Sequence, residues 1–195
     1  MSVINNIFLG QFHERLQCLG CRKTTHSFPT FTTLLVPIKS TDDYQYLYHL
    51  LNLYCHRETV DRKCERCQHT KSWKKTTFWR LPEVLIISLS RFSDQRRKIN
   101  KHVDYPIKSL DMTKYVTYPD KTRHVYNLYA IACHIGNLNM GHHYAITKIN
   151  GDWVELNDDH IEYINRDDDI VTPHAYILFY LRKGTGCCPP QTPSH

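Results

Sequence analysis

Residues 141–159, GHHYAITKINGDWVELNDD, carry the clearest folding signal in the sequence. Two stretches of alternating apolar and polar residues flank Asn150-Gly151, a dipeptide that favours the two-residue type I′ turn. The stretch therefore predicts a β-hairpin in which Ile149 lies opposite Asp152. Because side chains two positions apart on a strand share a face, this register extends to the histidines at the far end of the hairpin.

The predicted register gives each of the two histidines its neighbours. His142 is expected diagonally beside Asn157 and opposite Asp159, and His143 opposite Asp158 on the other face, if no bulge interrupts the strands. A histidine oriented by Asn or Asp is the general base of a nucleophilic device, because its second ring nitrogen remains free to accept a proton. The alternative is a pair of surface histidines beside a solvated acidic loop, and these residues alone leave both interpretations open.

Four of the eight cysteines have the spacing of a metal site. In Cys18-Leu-Gly-Cys21 and Cys64-Glu-Arg-Cys67, the two-residue gap lets both thiolates of one turn face the same ion, and two such turns complete a tetrahedron. Four protein ligands leave no open coordination position, so we expect one structural Zn ion. A disulfide framework and a thioredoxin-like redox pair are the weaker alternatives, since no secretion signal is evident and a redox site needs one pair.

The composition is that of a soluble globular protein. The chain has 195 residues, of which 41% are hydrophobic and 23% charged, with a mild formal charge of +6. We find no stretch long enough to span a membrane and no secretion signal, so we expect an intracellular protein, cytoplasmic or nuclear, without a membrane partner. The basic residues are scattered except in residues 95–102, which argues against a nucleic-acid partner.

The hydrophobic pattern predicts an antiparallel β assembly with few helices. Helical periodicity runs through residues 42–56, and Ser40, Thr41 or Asp42 could cap that helix. The run from Val84 to Leu89 is apolar on both faces and predicts a central buried strand. Strands are expected over residues 74–81, 83–92, 125–133, 143–149, 152–156 and 174–182.

The remaining four cysteines lie outside the two pairs. Cys55 on the helical pattern and Cys133 in an apolar strand are both expected to be small buried hydrophobes. Cys187 and Cys188 lie in residues 184–195, whose glycine, proline and serine content predicts a disordered tail.

The order of these motifs closely resembles the ubiquitin-specific protease family of cysteine deubiquitinases. A CxxC pair, a helix, a second CxxC pair, LPEVLIISLSRF (81–92), Gly141-His142 and AYILFYLR (175–182) follow one another over about residues 8–182. The resemblance implies an α+β fold, a papain-like cysteine protease core with mostly antiparallel β fingers and palm and without its helical thumb part. It also implies a partial deubiquitinase catalytic domain over residues 1–183, which would hydrolyse the bond after the C-terminal Gly of ubiquitin, with ubiquitin or ubiquitinated proteins as partners.

Position by position, the resemblance implies roles for the polar residues already identified. His142 matches the catalytic histidine of this thiol protease family, Asn157 the third residue of the triad, and Asp158 the acid that follows and assists. The four paired cysteines match the zinc site of the fingers. Residues 93–104 and 135–141 match the two loops that flank the channel for the C-terminal tail of ubiquitin.

The nucleophile is where the sequence departs from the family. The family's nucleophilic cysteine precedes the first CxxC pair, and no cysteine precedes Cys18 here. Cys133 lacks the helix N-terminus that lowers a thiol pKa, and Cys187 and Cys188 follow the last strand. We therefore expect a domain that is inactive alone, its nucleophile lying in a missing N-terminal half. A non-catalytic ubiquitin-binding module is the first alternative. A zinc-ribbon nucleic-acid binder is the second, but it leaves the register of His142 and Asn157 unexplained.

Overall fold

The computed structural model describes residues 3–39, 41–42, 44–92, 98–117, 122–137 and 140–184. Strands predominate in this part of the chain, accompanied by α1 (Val3–Phe8), α2 (Leu47–Tyr54), α3 (Asp167–Ile170) and a 3₁₀-helix over Thr113–Tyr115. In chain order the strands are β1 (Gly10–Cys18), β2 (Thr24–Ser27), β3 (Thr30–Phe31), β4 (Thr33–Pro37), β5 (Tyr44–Tyr46), β6 (Glu58–Asp61), β7 (Lys71–Arg80), β8 (Val84–Ser90), β9 (His102–Asp104), β10 (Leu110–Asp111), β11 (Val125–Gly136), β12 (Gly141–Ile149), β13 (Asp152–Asn157), β14 (His160–Ile164) and β15 (Ala175–Arg182).

Two sheets account for most of these strands. The small sheet has the order β2-β1-β7-β6, with β3 also paired to β1, and its pairs are antiparallel. The large sheet has the order β14-β13-β12-β11-β15-β8-β4, with β10 paired to β11. Its pairs are antiparallel apart from β4 and β8, and β5 and β9 form a separate parallel ribbon. The prediction of an α+β fold made mainly of antiparallel strands is confirmed.

The predicted central strand is β8. It lies between β15 and β4 in the large sheet, and most of its residues are buried, as its apolar character on both faces requires. Helix α2 packs one face of the adjacent β4, where Leu34 and Val36 meet Leu47, Leu50 and Leu51 in the core, all at most 2% exposed.

The predicted helix is shorter than its sequence pattern. It begins at Leu47, because residues 44–46 pair with β9 as β5. Tyr46 is the N-cap and makes no side-chain capping bond. The prediction that Thr41 or Asp42 caps the helix is therefore wrong, and Ser40 lies outside the described residues. Tertiary strand pairing has overridden the helical periodicity of these three residues.

The predicted strands of the large sheet are present with shifted ends. β11 runs three residues beyond the predicted end at Cys133, and β13 includes Asn157. β14 was not predicted. Of the predicted tail over residues 184–195, all but Gly184 lies outside the described part of the chain, including Cys187 and Cys188. Among the helices described, none has the length and apolar character that crossing a membrane would need.

Candidate functional site

The four paired cysteines meet at one end of the small sheet. Cys18 ends β1, and the segment that carries Cys64 and Cys67 joins β6 to β7. Both pairs sit on the same kind of turn, since Arg22 N donates to Cys18 O at 3.0 Å and Gln68 N donates to Cys64 O at 2.8 Å. These two donors have positive φ angles of 59° and 60°. Leu19 N donates to Lys71 O at 3.1 Å, and the pairing of Cys18 with Ser72 brings the two matching turns to the same end of the sheet.

The sulfur geometry fits a tetrahedral ion. All four Sγ atoms lie within 4.8 Å of one another. Cys18 Sγ is 3.6 Å from Cys67 Sγ, and Cys21 Sγ is 3.7 Å from Cys64 Sγ. Tetrahedral Zn–S bonds of about 2.3 Å give S···S edges of roughly 3.8 Å, which these pairs match closely. The cluster could therefore hold one metal ion.

Two local features support ligation by thiolates. The backbone amides of Cys67 and Arg66 donate to Cys64 Sγ and lower its pKa to about 6, whereas burial and the neighbouring sulfurs raise the pKa of Cys67 to about 11. Without an ion, Cys64 thus ionises more readily than Cys67. Gly20 lies against the opposite turn, where an added Cβ would come within 2.9 Å of His69 Cβ and 3.3 Å of Cys67 Sγ. Gly20 is thus required by the close approach of the second turn to the first.

The hairpin of β12 and β13 forms as the Asn-Gly signal predicts. Asn150 and Gly151 have φ angles of 54° and 99°, the positive values that a type I′ turn needs. Ile149 faces Asp152, and the pairing continues in register to Ala145 opposite Leu156. This register brings His142 and Asn157 to the open end of the hairpin.

His142 and Asn157 are in direct contact. Nε2 of His142 lies 2.5 Å from Oδ1 of Asn157 and 4.0 Å from Oδ2 of Asp158. An amide oxygen can only accept, so Nε2 carries the proton and donates it to Asn157. Nδ1 of His142 is then the acceptor nitrogen of a side chain that is 45% exposed. We call His142 and Asn157 the dyad.

The predicted cross-strand pairings of the two histidines with Asp159 and Asp158 are wrong. Neither Asp159 opposite His142 nor Asp158 opposite His143 is observed, because the β12–β13 pairing ends at Ala145 and Leu156. Asp158, with a φ of 52°, and Asp159 instead form the tight turn into β14, where Asn157 faces His160. Asp158 is largely exposed and stays close to the ring of His142, whereas Asp159 belongs to the turn.

Glu155 is a member of this site that the sequence did not predict. Nδ2 of Asn157 donates to Oε1 of Glu155 at 3.3 Å. The two residues are two positions apart on β13 and so share the face that also carries His142. The alternation of side chains along the strand predicts that Glu155 lies on this face, but its contact with the amide of Asn157 is evident only from the structure.

His134 and Lys98 support the end of the hairpin next to the dyad. His134 is buried on β11, and Lys98 Nζ donates to its carbonyl oxygen at 2.5 Å. Burial, and after it the charge of Lys98, lowers the pKa of His134, which keeps the ring neutral. A Cβ at position 141 would lie 2.0 Å from Nε2 of His134, so Gly141 lets the ring pack directly against the chain before His142.

Tyr144, two positions after His142 on β12, forms a second polar pair with His174. Tyr144 OH lies 3.0 Å from Nδ1 of His174. Burial raises the pKa of Tyr144 and lowers that of His174, so the neutral phenol donates to the neutral ring. Both groups of this pair are therefore uncharged near neutral pH.

The two remaining cysteines of the described residues are not activated thiols. Cys133 is fully buried on β11 opposite Tyr144, and burial raises its pKa to about 12. Cys55 is the C-cap residue of α2, and burial raises its pKa to about 12 as well. The prediction of small buried hydrophobes is confirmed for Cys133, whereas Cys55 is only half-buried.

The two loops that the family resemblance assigned to the flanks of a channel are partly described. Residues 93–97 and 138–139 lie outside the described part of the chain. From the first loop, Ile99 O and Lys101 O accept hydrogen bonds from the buried guanidinium of Arg91. From the second, Asn137 N donates to Met140 O at 2.9 Å. Arg91 also donates to Ala175 O, which ties the first loop to β15.

Comparisons with known proteins agree with this architecture. The family described as ubiquitin carboxyl-terminal hydrolase matches residues 1–180. The chain is 34% identical over 197 residues to a probable ubiquitin carboxyl-terminal hydrolase of Acanthamoeba polyphaga mimivirus, covering 93% of this chain and 42% of that relative. It is 35% identical over 202 residues to ubiquitin carboxyl-terminal hydrolase 5 of Saccharomyces cerevisiae, covering 93% of this chain and 25% of that relative.

Solved structures show the same similarity. A chain of the yeast SAGA DUB module superposes with a TM-score of 0.83 at 26% identity, covering 95% of this chain and 43% of that chain. A chain of a SAGA DUB module bound to ubiquitin aldehyde superposes with a TM-score of 0.81 at 27% identity, covering 95% of this chain and 43% of that chain. This chain therefore spans less than half the length of these relatives.

Proposed function

We propose, from the premise that this chain belongs to the ubiquitin carboxyl-terminal hydrolase family, that its dyad is the base and orienter of a thiol-dependent deubiquitinase. The substrate would be ubiquitin joined through its C-terminal Gly by an isopeptide or peptide bond. The contact between His142 Nε2 and Asn157 Oδ1 carries this proposal, because it fixes the proton on one nitrogen and frees the other. Two of the similar solved structures are SAGA DUB modules bound to monoubiquitin or to ubiquitin aldehyde, which supports the choice of substrate.

The geometry of the dyad defines its part in the reaction. Nδ1 of His142 takes the proton of a cysteine thiol, and the thiolate attacks the carbonyl carbon of the C-terminal Gly. His142 then returns this proton to the leaving amine, and a water molecule, deprotonated in turn by Nδ1, hydrolyses the thioester. Asn157 holds the ring in place throughout, and Asp158 stabilises the imidazolium that forms transiently. Cys55 and Cys133 are not the nucleophile, because burial keeps both protonated.

The four-cysteine cluster has a structural role in this proposal. We infer that its ion is Zn, since thiolate ligands at tetrahedral spacing select this metal and leave no position for a substrate. The ion would hold the two turns of the small sheet together and take no part in hydrolysis. Free thiols and a thiolate metal site suit a reducing compartment, so we place the protein inside the cell, in cytoplasm or nucleus.

Hydrolysis can be tested with ubiquitin that carries a fluorophore at its C-terminus. The isolated chain should leave this substrate intact, because no described cysteine outside the metal cluster is an activated thiol. Once a nucleophilic cysteine is supplied, we expect release that thiol alkylation blocks and that His142→Ala lowers by roughly 10²-fold or more, the usual contribution of a general base. His143→Ala is the matched control, because His143 neighbours His142 in the chain but lies on the other face of β12; release should stay within a few-fold of the parent. Equal activity in parent and His142→Ala protein once that cysteine is supplied would refute the proposed role of the dyad.

A non-catalytic ubiquitin-binding domain is the second candidate. The observation in its favour is that neither described cysteine outside the metal cluster offers an accessible, activated thiol. Ubiquitin labelled with ¹⁵N, titrated with the metal-loaded protein, separates the two functions. Saturable shifts that His142→Ala leaves unchanged, without hydrolysis even when a nucleophilic cysteine is supplied, would support the binding domain. Shifts together with hydrolysis that depends on His142 would support the enzyme, and the absence of both would contradict both.

A further inference from the structure

Glu155 lies in a position that secondary structure alone does not explain. It is half-buried on β13, and its cross-strand neighbours are Ile146 and Glu162. Neither neighbour is a cation, and like charges directly opposite each other destabilise a strand pair. Strand pairing therefore gives the carboxylate no counter-charge. Its side-chain hydrogen bond is with the amide of Asn157, whose Nδ2 donates at 3.3 Å.

The orientation of the Asn157 amide decides which ring nitrogen of His142 carries the proton. Its two ends differ in chemistry, because Oδ1 only accepts hydrogen bonds and Nδ2 only donates them. If the amide turned over, Nδ2 would donate to Nε2 of His142, and the ring proton would move to Nδ1. Nδ1 could then no longer accept a proton, and His142 would cease to be a base toward a thiol.

Glu155 removes this ambiguity by its chemistry. A carboxylate can only accept, so the end of the amide that faces Glu155 is Nδ2, and Oδ1 must face His142. We propose that Glu155 is the positioning residue of the dyad, which orients the amide of Asn157 and thereby holds His142 with its proton on Nε2 and its lone pair on Nδ1. This inference rests on the proposed function for its biological meaning, but its test measures the imidazole directly.

The test is NMR of the metal-loaded protein with ¹⁵N-labelled histidine, which reads the proton on each ring nitrogen. In Glu155→Ala we expect the ratio of Nδ1–H to Nε2–H tautomer at His142 to rise about fivefold, the effect of losing one net hydrogen bond. Glu155→Gln keeps an acceptor but can turn over together with Asn157, so its ratio should lie between those of the parent and Glu155→Ala. His143, which has no contact with Asn157, should be unchanged in both variants.

The same Glu155→Ala substitution in an Asn157→Asp protein separates orientation of the amide from the effect of the Glu155 charge. Asn157→Asp replaces the amide with a group whose two ends are alike, so orientation by Glu155 has no meaning there. In the Asn157→Asp protein, Glu155→Ala should leave the tautomer ratio of His142 unchanged. An unchanged ratio in the single Glu155→Ala variant, or an equal change in both backgrounds, would overturn the inference.

Misfolded variants can be recognised before the tautomers are compared. Unchanged circular dichroism and a full complement of bound metal identify variants that fold, and the Glu155→Gln protein, which keeps the shape of the side chain, supplies the comparison if Glu155→Ala does not. Because the spectra need no turnover, a protein without hydrolysis still tests the inference. A protein that hydrolyses ubiquitin but shows no tautomer change would retain its proposed function and lose only the role of Glu155.

Discussion

At the scale of single residues, the lack of a side chain at Gly141 allows the close packing next to the dyad. Gly141 precedes His142, and an added Cβ would lie 2.0 Å from Nε2 of His134 and 2.8 Å from the carbonyl oxygen of Ile135. The ring of His134 therefore packs against bare backbone. Any side chain at this position must push β11 and β12 apart, and with them the strand that carries His142.

We expect Gly141→Ala to destabilise the protein by about 1–3 kcal/mol, the usual cost of overpacking a filled site. Urea denaturation of the metal-loaded protein measures this cost. Because the shortest contact is with the His134 ring, Gly141→Ala should cost less when it is introduced into a His134→Ala protein. Identical denaturation midpoints for Gly141→Ala and the parent would show that the ring moves away freely.

The sequence predicts some of these residues well and others not at all. His142 and Asn157 follow from the Asn150-Gly151 turn, because the register of a hairpin propagates along two regular strands. Asp159 could not be placed in this way, since it lies past the last pair, where a tight turn replaces the strand. The role of Glu155 depends on a side-chain contact, for which alternation along a strand supplies the face but not the partner.

At the scale of elements, the small sheet contains a cross-strand pair of two cations. Arg15 on β1 lies directly opposite Lys75 on β7. The guanidinium of Arg57 lies 3.9 Å above the ring of Trp73, the residue two positions before Lys75 on the same strand. Lys71, at the start of that strand, instead faces Asp61 on β6. One strand thus carries a repulsive and an attractive cross-strand pair.

The same substitution at the two lysines should therefore have opposite effects. Lys75→Glu creates an opposite-charge pair with Arg15 and should stabilise the protein by about 0.2–1 kcal/mol. Lys71→Glu sets two acids against each other and should destabilise it by a similar amount. Urea denaturation at low salt measures both, and both differences should shrink in high salt. A shift of the same sign in both variants would contradict the strand register.

The elements that the sequence predicted are long ones with one dominant apolar pattern, such as β8, β11 and β15. β1 is nine residues long but has few apolar residues, and it escaped prediction. The short strands of two to five residues escaped prediction, because so few positions cannot establish a period of two. β5 shows the further difficulty, since its three residues continue the pattern of α2 and become a strand only because β9 lies beside them.

At the scale of the whole molecule, the four-cysteine cluster joins distant parts of the chain. Cys18 and Cys67 are 49 positions apart, and the segment between them supplies β4 and α2 to the core beneath the large sheet. The hydrophobic core of the large sheet does not include the cysteine turns. Loss of the ion should therefore loosen the small sheet first.

We expect Cys64→Ser, or chelation of the parent, to increase hydrogen exchange in β1, β2, β6 and β7 by at least about tenfold, which corresponds to about 1.4 kcal/mol of local stability. Strands β8, β11 and β15 should keep their protection. Cys55→Ser is the matched control, because this cysteine lies outside the cluster and its loss should leave metal content and exchange nearly unchanged. Uniform loss of protection throughout both sheets would show that the ion stabilises the whole fold.

The hairpin that holds the dyad has a consequence for the order in which the protein is assembled. His142 and Asn157 are 15 positions apart on adjoining strands, and isolated hairpins close in about 1–10 μs. The cysteine turns must first bring together ends separated by a far longer loop, and they also wait for an ion to arrive. During refolding of the complete chain, His142 and Asn157 therefore come into register early, and the four cysteines come together late. A chain refolded without metal would form the dyad before the small sheet is complete.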